Sequence, residues 1–102
     1  MAKSKTQDKL VLSFNETTWE LKLFQKNLDF KIYEVYLNGK KYKKIKVKLS
    51  TFPVDDYNVM TNVHIYKNDE YQGNTYFKNN NVNLDEMIDI IKWVKFYGEN
   101  KF

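Results

Sequence analysis

Lys44, Lys46 and Lys48 recur at every second position of "LNGKKYKKIKVKLS". Alternate residues of a strand lie roughly 6.6–6.8 Å apart and point to the same side. That spacing is close to the phosphate repeat of an extended single strand, so a lysine ladder can track a nucleic-acid backbone. Lys31, Tyr33 and Tyr42 join these lysines under the strand pairing given below. Single-strand binders combine a cationic groove with rings on which bases stack. The candidate nucleic-acid-binding set is therefore Lys31, Tyr33, Tyr42, Lys44, Lys46 and Lys48. The same residues have a plainer use, because lysine on a solvated or edge strand opposes aggregation.

Other chemistry finds little support. The chain has 102 residues, no cysteine and one histidine. Disulfides, thiolate catalysis and Cys-containing zinc sites are excluded. His64 stands alone in a strand, with no Cys and no spaced carboxylates to complete a metal set. Asp55 and Asp56 are adjacent, so on extended chain they diverge, whereas acid–base pairs must converge. No phosphate-binding glycine loop, nucleophile elbow or His-Glu-x-x-His helix occurs. A non-enzymatic protein without cofactor or metal is expected.

Composition points the same way. Lys and Arg exceed Asp and Glu by 17 to 13, giving a net charge of +4, a mild pull towards anionic partners. Aromatic residues make up 17% of the chain, which argues for a packed core over disorder. The length suits one domain, 9–102, behind a disordered basic tail, 1–8. No apolar run is long enough for a signal peptide or membrane span, so a cytoplasmic protein is expected.

The elements that must position the lysines read as follows. Alternation predicts strands over 9–14 and 18–24, joined by "NETT". Asn38-Gly39 predicts a type I′ hairpin, since both central residues of that turn need positive φ. Pairing Leu37 with Lys40 sets Leu28 against Leu49, Phe30 against Val47 and Ile32 against Ile45. The other face then carries Lys31 with Lys46, Tyr33 with Lys44, Asp29 with Lys48 and Val35 with Tyr42. The ladder depends on this register, which sends the apolar and basic sets to opposite faces. A loop over 51–60 precedes strands "TNVHIYK" and "YQGNTYFK", and "NNN" breaks the sheet. Asn83 and Glu86 predict a capping box, and Gly98 a helix stop. Leu84, Met87, Ile88, Ile91 and Val94 form the expected core stripe. Ile90, Trp93 and Tyr97 exceed that stripe and predict either a dimer interface or cover from within the chain. The fold class is α+β: a twisted antiparallel sheet of about six strands with one C-terminal helix packed on it.

This order of elements, ending in "NNVNLDEMIDIIKWV", resembles the single-stranded nucleic-acid binders of the transcriptional positive cofactor four family. Pur-alpha and Whirly repeats share the plan. Val82, Asn83 and Leu84 occupy the stretch that enters the family's helix. The resemblance implies a sheet that holds single-stranded DNA or RNA and a homodimer formed through helices, with Trp93 and Ile90 at the interface. Two functions follow as expectations. One is single-stranded nucleic-acid binding by a phage or mobile-element protein. The other is a small phage-type effector that inhibits a host defence or replication protein, or a nucleoprotein, by direct binding.

Overall fold

A computed structural model describes residues 9–78 and 82–99; the tail 1–8 and the "NNN" break lie outside them. Six strands run in order, β1 (Lys9–Phe14), β2 (Thr17–Lys26), β3 (Phe30–Leu37), β4 (Lys40–Pro53), β5 (Val59–Lys67) and β6 (Glu70–Phe77). Each pairs antiparallel with the next, giving one open sheet in the order β1-β2-β3-β4-β5-β6. The helix α1 (Leu84–Glu99) follows and packs against β1, β4 and β5. This is the expected α+β architecture.

The three turns at one end of the sheet share a device. Asn15-Glu16, Asn38-Gly39 and Asn68-Asp69 all hold positive φ at both central residues (51 and 62, 49 and 86, 54 and 67°). Asn tolerates the left-handed region because its short amide bonds locally, and the I′ turn it permits matches strand twist. The capping box is also present. The Asn83 N–H donates to Glu86 Oε1 at 3.1 Å, and the Glu86 N–H donates to Asn83 Oδ1 at 3.0 Å.

One face of the sheet meets the helix. Leu21, Val35, Val47 and Val63 from four successive strands are fully or nearly fully buried there, with Met87, Ile90, Ile91 and Val94 from α1. Fully burying one such aliphatic side chain contributes about 1.5–3 kcal/mol. The buried stripe of α1 is turned from the expected one: Leu84 is 64% exposed, while Ile90 is fully buried. At 100° per residue, Leu84 and Ile90 flank the mean direction of Met87, Ile91 and Val94 on opposite sides, and the sheet covers the Ile90 side. The helix also passes its expected stop. Gly98 is buried inside it, and the Lys67 ammonium donates to the Tyr97 carbonyl at 3.3 Å, serving one of the last-turn acceptors.

The β3–β4 register corrects the sequence reading. Near the turn, Leu37 pairs with Lys40 and Tyr36 with Lys41, as expected. Beyond it, Tyr33 pairs with Val47, Lys31 with Leu49 and Phe30 with Ser50. Four residues, Tyr42 to Ile45, stand opposite the single Val35. This bulge is built on Lys43 and Lys44, both at positive φ (49 and 55°). The offset it introduces is odd, so every side chain past it changes face. Phe30 and Val47 therefore lie on opposite faces.

The neighbouring strands explain why. On β2, Trp19 faces Leu37, Leu21 faces Val35 and Leu23 faces Tyr33. On β5, Ile65 faces Val47 and Val63 faces Leu49. The bulge lets the apolar sides of four strands coincide, which pairing β3 with β4 in isolation cannot achieve.

Candidate functional site

The proposed lysine–tyrosine face is taken apart by this register. Tyr33 is 1% exposed and Tyr42 9%, so neither ring is offered to a base. Tyr42 packs edge-on against Trp19, with ring centroids 4.9 Å apart. Burial, with the Glu99 carboxylate nearby, holds its phenol above the ordinary value. Lys31 sits on the helix side, between Lys26 and Leu49. Lys44 is exposed in the bulge, where its carbonyl accepts the Asn68 N–H at 3.1 Å. Only Lys46 and Lys48 share the face that the helix leaves open.

That open face has its own pattern. One row across the strands reads Lys22, Glu34, Lys46, Tyr66 and Tyr71. The next reads Gln25, Ile32, Lys48, His64 and Asn74, and a third Phe30, Ser50, Asn62 and Tyr76. Neighbouring rows stand roughly 6.6–6.8 Å apart along the strands, and neighbouring strands about 4.7–4.9 Å across. Ammonium groups lie over rings: Lys22 over Tyr36 (4.4 Å), Lys46 over Phe24 (4.3 Å) and Lys48 over Phe30 (4.5 Å). Phe24, Tyr71 and Tyr76 are each more than half exposed. No family model, curated protein or solved structure matches the chain. The open face must therefore be read from its own chemistry.

Its charges are unevenly neutralised. Lys9 pairs with Glu20 at 3.5 Å, Lys41 with Glu34 at 3.0 Å, and Lys46 with Asp69 at 3.4 Å. Asp69 is 84% exposed, and such a surface pair holds its lysine only weakly. Lys22 and Lys48 make no carboxylate pair among the described residues. Between Lys48 and the rings of β6 stands His64, whose ring centroid is 5.8 Å from that of Tyr71. Burial, and then the Lys48 charge, hold its imidazole below the ordinary value, which favours the neutral ring.

The expected interface residues divide as well. Ile90 is fully buried and belongs to the core of its own chain, not to an interface. Tyr97 is half-buried, with its hydroxyl in the space over Gly73. Trp93 stacks on Tyr97 (5.6 Å, 19°) and remains 36% exposed beside Phe96. Thus two of the three are committed, wholly or partly, to internal packing.

The residues that the sequence reading missed are Lys22, Phe24, Phe30, Tyr66, Tyr71 and Tyr76. A signal for part of this set existed: Asn62, His64 and Tyr66 alternate with buried Thr61, Val63 and Ile65. Among the described residues no cluster of three His, Cys, Asp or Glu side chains could hold a metal ion. No described helix is long and apolar enough to cross a membrane.

Proposed function

We propose that the chain binds single-stranded nucleic acid on the open face of its sheet, through Lys22, Lys46 and Lys48 and the rings of Phe24, Tyr66, Tyr71 and Tyr76. The observation that supports this reading is the interleaving of lysines and exposed rings on a sheet face that the helix does not cover. Rings standing on this face can stack unstacked bases, and the three ammonium groups suit the phosphates between them. When a phosphate arrives, the lysines exchange weak ring contacts for charge-assisted bonds, which are the stronger kind.

The test is fluorescence anisotropy with a labelled twenty-nucleotide strand across a salt series. Three phosphate contacts imply a log–log slope of about −2, from roughly −0.7 per contact on single strands. Absence of binding at low salt to any such strand defeats the reading.

A second reading, docking on a host protein, draws on the loop between β4 and β5. There Asp55 accepts the Tyr57 and Asn58 N–H groups at 2.8 and 2.9 Å and two bonds from the Asn58 amide, fixing the loop. Tyr57 is 92% exposed at its tip beside Asp55 and Asp56, an acidic and aromatic surface suited to a basic protein groove.

A further inference from the structure

Two polar atoms at the middle of the open face lack partners. Asn62 Oδ1 and His64 Nδ1 are both shielded from solvent and accept or donate no hydrogen bond among the described residues. Buried polar atoms in folded proteins are nearly always satisfied, so each exception calls for an explanation. Here the two occur at alternate positions of one strand, on one face, between Ser50 and Lys48 on β4 and Tyr76 and Asn74 on β6. Their separation along the strand is about 6.6–6.8 Å at the backbone.

We infer that Asn62 and His64 read the Watson–Crick edge of an unpaired base. The inference rests on the single-strand binding proposed above and adds to it a site of base selection. An unpaired base presents adjacent donors and acceptors on that edge, and in a duplex the same groups are occupied by the opposite strand. Asn62 Oδ1 supplies an acceptor. Neutral imidazole supplies a donor or an acceptor at Nδ1 according to tautomer. The pair therefore complements an edge that only single-stranded nucleic acid exposes.

Access requires a small rearrangement. Tyr71 and Tyr76 on the edge strand β6 are 54% and 58% exposed. The Tyr71 hydroxyl donates to Asn74 Oδ1 at 2.6 Å, and its ring is tilted at 53° to the His64 ring. Exposed side chains of this kind change rotamer in picoseconds to nanoseconds. An entering base turns Tyr71 or Tyr76 aside and then stacks on it, while its polar edge meets Asn62 and His64.

The experiment measures affinities for homopolymeric DNA strands of equal length, at fixed salt, in the native protein and in Asn62→Leu and His64→Phe. Base-edge contacts discriminate by roughly ten- to a hundredfold. The native protein should prefer one homopolymer on that scale. Each variant should bring the homopolymers within about threefold of one another and leave the salt slope unchanged. Equal native affinities, or variants that keep the preference, overturn the inference while single-strand binding stands.

A second measurement needs no variant. His64 is the only histidine, so its imidazole nitrogen resonances are unambiguous. The Nδ1 resonance should move on adding the preferred strand. It should not move on adding the same sequence as duplex, or dextran sulfate, which loads lysines without offering bases. A bound strand that leaves Nδ1 unmoved overturns the base-reading role alone. Failure of every strand to bind overturns both this inference and the proposed function.

Discussion

The Tyr42 ring lies directly against Gly98. A Cβ on residue 98 would stand 2.6 Å from Tyr42 Cε2 and 2.8 Å from its hydroxyl. Trp19 backs the same ring, so it has little room to retreat. Glycine in a helix interior costs about 1 kcal/mol against alanine, and here the close approach of β4 and α1 offsets that cost. Gly98→Ala should therefore destabilise the protein by about 1–3 kcal/mol despite its better helix propensity. Thermal unfolding checks this; a raised midpoint would show that the helix can move away from Tyr42.

Tyr33 and Ile90 are core residues, so their truncation should act on stability. Ile90→Ala should cost about 2–5 kcal/mol. Denaturant unfolding gives the cost. Sedimentation should show no change of oligomeric state beyond that caused by unfolding.

The bulge makes a contrasting prediction about neighbouring lysines. Lys43 and Lys44 occupy left-handed backbone that glycine adopts without penalty. Lys43→Gly and Lys44→Gly should leave stability unchanged or raise it by up to about 1 kcal/mol. Lys46→Gly, in regular strand, should lower it by a similar amount. Equal losses at all three would indicate that the bulge is not fixed in this conformation.

Charge and stacking should separate in binding. Lys46→Gln with Lys48→Gln should flatten the salt slope by about 1.4, at roughly 0.7 per lysine. Tyr66→Ala or Tyr71→Ala should weaken binding by about 1–3 kcal/mol per lost stack and leave the slope intact. Lys31→Gln, on the other side of the sheet, should do neither. Anisotropy titrations at several salt concentrations distinguish these outcomes.

The imidazole of His64 predicts a pH dependence of stability. Its folded pKa lies below the unfolded value of about 6.5, so acid favours the unfolded chain. Its contribution is present above that value and is lost as pH falls from there through the folded pKa. Asp55, held low chiefly by the Asn58 amide, acts in a separate window below about 4, where its contribution is lost in the same direction. Replacing His64 by Phe should remove the upper window only, as urea midpoints measured at successive pH values would show.

The sequence by itself determined the order of elements, the central turn and the start of the helix. Asn38-Gly39 marked the central turn, Asn83 with Glu86 marked the helix start, and alternation marked the strands. The turn and cap signals are local: Asn38-Gly39 sets the backbone of its own hairpin, and Asn83 and Glu86 bond each other across three positions. What only the tertiary structure decided was which face each side chain occupies. Tyr33 and Tyr42 went to the core, and Phe24, Tyr66 and Tyr71 to the open face. The bulge at Lys43 and Lys44 is encoded by no glycine, and two strands read as a pair gave a neater sorting without it. The deciding partners were Leu21 and Leu23 on β2, Val63 and Ile65 on β5, and Gly98 on α1. Side chains alternate strictly along a strand, so one odd offset, favoured by burial against strands distant in sequence, reverses every assignment beyond it.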